Sequence, residues 1–138
     1  MKKRIMLVIG LCLLFISTTA YAASGLVQNT AALTASYSTA GGQPHYLVNG
    51  TSTTVEKNLA AGNVREINAQ LSLYRNGVAL KSDTKYEYKT TKATQSLTNN
   101  EYTGNINYKV YTYGQATYSD GGFSQDSDTR TITVSTVQ

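Results

Sequence analysis

The 138-residue chain has no tryptophan, one cysteine, one histidine and one proline. The cysteine, Cys12, and both methionines lie within a start that reads as a removable leader. Lys2, Lys3 and Arg4 form a basic opening, Ile5 to Ile16 an apolar run, and Ala20-Tyr21-Ala22 a small-x-small cleavage site. This pattern predicts a secretory signal helix over residues 1–22 and a secreted domain over residues 23–138. The apolar run is about a dozen residues, short of the roughly 20 that span a bilayer. Leu11 stands where lipoprotein processing requires a small residue, so Cys12 is not read as a lipid anchor. Once the leader is gone no thiol is left, which excludes both a disulfide and thiol chemistry. The domain must then stand on its core alone. A chain of about 116 residues buries roughly two-thirds of its unfolded surface, enough for one such core.

Charge of one sign is missing as well. The leader takes three of the 12 Lys+Arg, leaving nine against eight Asp+Glu, a net charge of +1. The pI near 9.2 therefore says little about partners. No basic stripe of the kind a nucleic-acid surface needs is present. A hydrolase triad needs a base beside a nucleophile, and the sole histidine, His45, sits next to Pro44 in a Gly-rich turn, where an exposed turn residue is expected. The carboxylates are scattered, with no spacing that selects a glycosidase pair. These absences argue against an enzyme, and no cofactor is implied.

What the chain does have is alternation. From Ile67 to Tyr88 it reads as a β-hairpin about Asn76-Gly77, the strongest short signal for a type I′ turn. Ile67, Ala69, Leu71 and Leu73 point one way, and Asn68, Gln70, Ser72 and Tyr74 the other. That tip pairs Arg75 with Val78, Leu73 with Leu80, Leu71 with Ser82 and Ile67 with Tyr86. The apolar face is then expected to continue to Tyr88. The outer face pairs Ser72 with Lys81, Gln70 with Asp83 and Asn68 with Lys85. One step further Glu66 would meet Glu87, so a bulge or a parting of the strands is expected there.

The rest follows the same period. Val27 to Tyr37 reads as a weak strand, ended by Gly41-Gly42-Gln43-Pro44. Tyr46 to Val48 is short and is followed by Asn49-Gly50, read as a second turn rather than as the glycosylation acceptor that Asn49-Gly50-Thr51 also fits. Thr51 to Lys57 is extended, and Leu59 to Asn63 admits the one helical turn. Thr90 to Leu97 adds a strand, and Thr98-Asn99-Asn100 a turn. Ile106, Tyr108, Val110, Thr112, Ala116 and Tyr118 share a face, opposite Lys109, Tyr111 and Tyr113, with a bulge or bend expected at Gly114. Ser119 to Asp128 reads as a polar loop, and Thr129 to Val137 as the last strand. The expected fold is all-β: one antiparallel sandwich, or small barrel, of seven to nine short strands.

Leu71-Ser72-Leu73-Tyr74-Arg75-Asn76-Gly77-Val78-Ala79-Leu80 resembles the hairpin of immunoglobulin-like domains. Gly104-Asn105-Ile106-Asn107-Tyr108-Lys109-Val110 resembles the strand opening that carries their tyrosine corner, and Thr129 to Val137 their last strand. The likeness spans Ile67 to Val137. With no Trp, and Val110 where the second disulfide Cys would stand, it points to a cysteine-free sandwich of the fibronectin or bacterial surface type. It implies architecture alone, since such folds host many functions.

Three groups are candidates for function. Asp120, Asp126 and Asp128 could supply oxygen ligands to Ca²⁺, although no further acidic residue completes a cage and Asp/Gly/Ser clusters ordinarily mark turns. Tyr is abundant, and Tyr111 and Tyr113 beside Lys109 could form a platform for a protein or glycan partner, against the plainer reading that tyrosines fill cross-strand pairs. Val27 to Tyr37 could lend a strand to a neighbouring copy and build a fibre or homo-oligomer, although strands usually pair within their own sheet. The expected function is a secreted, non-enzymatic binding or adhesion module, extracellular or periplasmic. A pilin-like subunit is the first alternative, and a secreted inhibitor or antibacterial factor the second.

Overall fold

A computed structural model describes residues 24–135; the signal helix expected over residues 1–22 lies outside them. Seven strands form two antiparallel sheets. They are β1 (Val27–Ser38), β2 (His45–Glu56), β3 (Val64–Arg75), β4 (Val78–Tyr88), β5 (Lys92–Glu101), β6 (Ile106–Tyr118) and β7 (Phe123–Val134). One sheet has the order β1-β2-β5 and the other β4-β3-β6-β7. The two face each other as a sandwich compatible with an immunoglobulin-like arrangement. Single 3₁₀ turns occur at Ala40–Gly42 and Ala61–Asn63.

The hairpin forms as its turn chemistry dictates. Asn76 and Gly77 hold φ of 48° and 81°, the positive values a type I′ turn requires, and Arg75 pairs with Val78. Ile67, Ala69, Leu71 and Leu73 are all fully buried. The other arm departs from expectation at once. A bulge at Leu80 shifts the register, so Leu73 faces Lys81, Leu71 faces Asp83, Ala69 faces Lys85 and Ile67 faces Glu87. Leu80, Tyr86 and Tyr88 are exposed instead of extending the core. The shift sets Tyr88 opposite Glu66 and keeps the two carboxylates apart.

The physical reason lies at the edge of the opposite sheet. β4 overhangs β5, where Lys81 Nζ donates to the Thr98 carbonyl (2.5 Å) and Gln95 Nε2 donates to Asp83 Oδ2 (2.6 Å). Inward charges on an edge strand also discourage pairing with foreign chains. Because Leu80 is 41% exposed, Leu80→Ala is expected to cost less than about 1 kcal/mol in a urea titration. A core-sized loss would restore the register expected from the sequence.

Four further readings are corrected. Asn49-Gly50 is no turn but lies mid-β2, where Gly50 faces the core and an added Cβ would sit 3.3 Å from Val110. Thr98-Asn99-Asn100 belongs to β5, and Asn99 Nδ2 donates to the Tyr108 hydroxyl (2.8 Å). β7 begins at Phe123, inside the supposed loop. β6 runs through Gly114 without a register break. In each case a polar or small residue sits in a strand because a partner across the sandwich meets it.

That partnering divides the core. Apolar clusters gather around Ile67 and Val64 at one end, around Leu73 and Val48 at the other, and around Leu71 and Val110 between them. Beside them lies a buried polar network: Asn29 Nδ2 donates to Ser52 Oγ (3.0 Å) and Thr54 Oγ1 (2.9 Å), and the Thr112 hydroxyl donates to Asn29 Oδ1. Each member is satisfied, which lets hydroxyls replace aliphatic groups in an interior.

Both ends of β6 are pinned by tyrosine to a buried carboxylate. At its start the Tyr108 hydroxyl donates to Glu101 Oε2 (2.8 Å), and Arg75 Nε meets the same oxygen at 2.7 Å. At its end Tyr118 donates to Glu56 Oε2, while Glu56 Oε1 accepts the amides of Leu26 (3.0 Å), Asn58 (2.7 Å) and Leu59 (3.1 Å). Burial alone would raise the Glu56 carboxyl, but the Tyr118 hydroxyl and the three amides outweigh it and leave it below the usual range. Burial, then the neighbouring carboxylate, pushes the Tyr118 phenol up.

Candidate functional site

The outer face of the four-stranded sheet is built from alternate residues of its strands. β6 contributes Lys109, Tyr111, Tyr113, Gln115 and Thr117, all at least partly exposed. The strand pairing sets Tyr74 beside Lys109, Ser72 beside Tyr111, and Gln70 beside Tyr113. On the far side Lys109 faces Thr131, Tyr111 faces Thr129, and Tyr113 faces Ser127. The bulge at Leu80 turns Tyr86 and Tyr88 onto this same face, opposite Asn68 and Glu66. Five tyrosines thus share one sheet surface otherwise composed mainly of Ser, Thr, Asn and Gln.

The sequence places Lys109, Tyr111 and Tyr113 together, and the structure does the same. It adds Tyr74, whose ring lies 4.7 Å from Lys109 Nζ in a cation–π contact. No sequence signal shows that β3 lies beside β6, so Tyr74 could not be joined to the group in advance. Tyr86 and Tyr88 were hidden by the register. Tyr111 is 40% exposed, and the Tyr113 hydroxyl donates to Gln125 Oε1 (2.6 Å) across β7, which fixes that side chain before any partner arrives. Asn68 Oδ1, on this face, is the one buried side-chain polar atom without a hydrogen-bond partner among the described residues.

Electrostatically the face is nearly bare. Among the residues that the strand pairing places on this face, Glu66 and Lys109 carry charge, and they lie on rows eight residues apart along β3, about 27 Å. Around Lys109 the surface dips into a depression of about 430 Å³ lined by Gly77, Asn107, Tyr108, Lys109, Thr131, Ile132 and Thr133.

The three aspartates do not come together. Asp120 caps a tight turn, its Oδ1 accepting the Gly122 amide (2.9 Å). Asp126 and Asp128 point from β7 along the flank of the other sheet. There Ser124 Oγ, Asp126 Oδ2 and Asp128 Oδ2 accept the amides of Val27 (3.0 Å), Asn29 (2.9 Å) and Ala31 (3.0 Å). Alternate side chains of β7 thereby occupy the open edge of β1. The Ala31 amide holds the Asp128 carboxyl below its ordinary value against burial, helped by the Thr129 amide and by Arg130 at 3.4 Å. Among the described residues no three His, Cys, Asp or Glu side chains converge on one point.

His45 is buried rather than exposed. Its Nδ1 donates to the Gln43 carbonyl (2.8 Å), and its ring lies 5.1 Å from that of Tyr102. Val27 to Tyr37 forms most of β1, paired with β2 from Val27–Glu56 to Ser38–His45. No helix among the described residues is long and apolar enough to cross a membrane. The chain matches no protein-family model, and no curated protein matches it.

Proposed function

We propose that this chain is a secreted, non-enzymatic binding module that holds a protein or glycan partner at a cell surface or in the extracellular matrix. The observation that carries this reading is the gathering of five tyrosines on one sheet face, which no other described strand covers, with Tyr111 and Tyr113 at its centre and Lys109 beside them. Tyrosine supplies broad apolar contact with a polar tip and few rotatable bonds, so ordering it on binding costs little entropy. The strand order β1-β2-β5 against β4-β3-β6-β7 supports an immunoglobulin-like sandwich of the cysteine-free fibronectin kind, a scaffold rather than a function.

Two arrangements weigh against the competing readings. The His45 ring is engaged by the Gln43 carbonyl and packed on Tyr102, which favours binding over hydrolysis. Strand donation by Val27 to Tyr37 would first require β1 to break its ladder to β2 and its contacts with Ser124, Asp126 and Asp128. A binding role needs no such rearrangement.

The Tyr111→Ala/Tyr113→Ala variant is expected to bind intact cells or matrix at least about tenfold more weakly than the parent chain, as truncation of central aromatic anchors does. The thermal midpoint should move by only a few degrees, because both side chains lie on the outer face. Unchanged binding in a folded double variant removes the platform.

A further inference from the structure

We propose that the depression at the hairpin end of this face binds the carboxylate of an acidic saccharide, with Lys109 as its counter-ion and the following sugar rings resting on Tyr111 and Tyr113. The inference rests on the binding reading above and narrows it to a ligand class.

The donors are already in place. Lys109 has no carboxylate partner among the described residues; its ammonium lies over the Tyr74 ring and stays available to a ligand. The Thr133 hydroxyl donates to Asn107 Oδ1 (2.8 Å), which leaves the Asn107 amide NH₂ as a donor. The Asn107 backbone is held by Asn76, whose Oδ1 accepts the Asn107 amide (2.9 Å) and whose own amide donates to the Asn107 carbonyl (2.7 Å). Thr131 adds a hydroxyl beside Lys109. No acidic residue lines the depression. One cation surrounded by neutral donors suits a single carboxylate, since charge-assisted hydrogen bonds are the strong ones and no lining side chain repels the anion.

The polymer is a glycan rather than a peptide because of what the centre of the face withholds. β6 spends its backbone groups on β3 to one side and β7 to the other, so an extended peptide laid along Lys109, Tyr111 and Tyr113 finds no ladder to join there. Side chains alone are offered: hydroxyls, amides and flat rings. Along β6, Lys109, Tyr111 and Tyr113 recur at about 7 Å, a stride that lays one ring after another under a linear chain. Weak single contacts repeated along a chain are also how a nearly uncharged surface gains affinity.

The test is an array of uronate- and sialate-containing oligosaccharides, each beside its carboxyl-reduced counterpart. Members bound by the parent chain should be the carboxylated ones, about tenfold tighter than their reduced forms, with the difference shrinking as salt is raised. Lys109→Gln should erase that preference while leaving the thermal midpoint in place. Tyr111→Ala/Tyr113→Ala should weaken both forms. Equal binding of acid and reduced forms, or a preference that survives Lys109→Gln, overturns the inference but leaves the tyrosine platform standing. Loss of all cell and matrix binding dependence on Tyr111 and Tyr113 removes both. A polyglutamate peptide that competes as well as the best acidic glycan assigns the depression to acidic peptides and overturns the saccharide.

Discussion

Glu101→Gln is expected to destabilise the chain by about 3 kcal/mol in denaturant titrations near neutral pH. The same stability should drain from the parent chain in acid. The Glu101 side chain is 4% exposed and takes Arg75 Nε at 2.7 Å and Nη2 at 3.2 Å. Thr103 adds its amide (2.9 Å) and hydroxyl (2.6 Å), and Tyr108 its hydroxyl (2.8 Å). The Arg75 guanidinium, assisted by Thr103 and Tyr108, holds the carboxyl down to about 2 against the cost of burial. A carboxyl lowered by folding stabilises the native state above its ordinary value of 4.5, and that contribution is lost as pH falls toward about 2. The interval between those values corresponds to about 3 kcal/mol. The variant, uncharged at that position, should show a shallower decline across the same pH range. Glu56 and Asp128 are also held low, so some slope remains. Identical acid limbs in parent and variant would show that Glu101 is not held as the structure describes.

Gly114→Ala is expected to cost about 2–3 kcal/mol although it adds a single methyl group. A Cβ at that position would stand 2.1 Å from Thr54 Oγ1, 2.5 Å from its Cγ2 and 2.8 Å from its Cβ. Glycine here answers no turn: β6 continues on both flanks without a register shift, with Ala69 and Asp126 opposite. It makes room for a side chain from the opposite sheet, and that side chain is tied into the Asn29 network. Thr54→Ala removes the two nearest atoms, so the double variant should be less damaged than the two single losses added together, with a coupling of about 1 kcal/mol or more. Simple additivity would mean that the close approach is not what excludes a side chain.

What could be read in advance follows one physical line. Strands whose buried face is aliphatic were legible: Ile67 to Leu73 and Ile106 to Val110 stand where period-two alternation places them. So was the hairpin tip, because Asn-Gly encodes its own backbone. Strands whose buried face is polar were not. Asn49-Gly50 within β2, and Ser124, Asp126 and Asp128 on β7, look like turn or loop residues until the partners across the sandwich are known. The candidate face was half legible for a related reason. Lys109, Tyr111 and Tyr113 follow from their spacing on one strand, whereas Tyr74 depends on a pairing distant in the chain and Tyr86 on a single extra residue at Leu80.

The lacing of β7 onto β1 has a consequence for which of the two strands is free to drift. Every residue except proline brings the same amide hydrogen, so positions 27, 29 and 31 satisfy their acceptors whatever their side chains. The acceptors enjoy no such indifference, since a side chain with an accepting oxygen must stand at each of 124, 126 and 128. In this contact β1 is therefore retained through its main chain and β7 carries the chemical obligation, while Asn29 alone is bound a second time, through its side chain in the buried network.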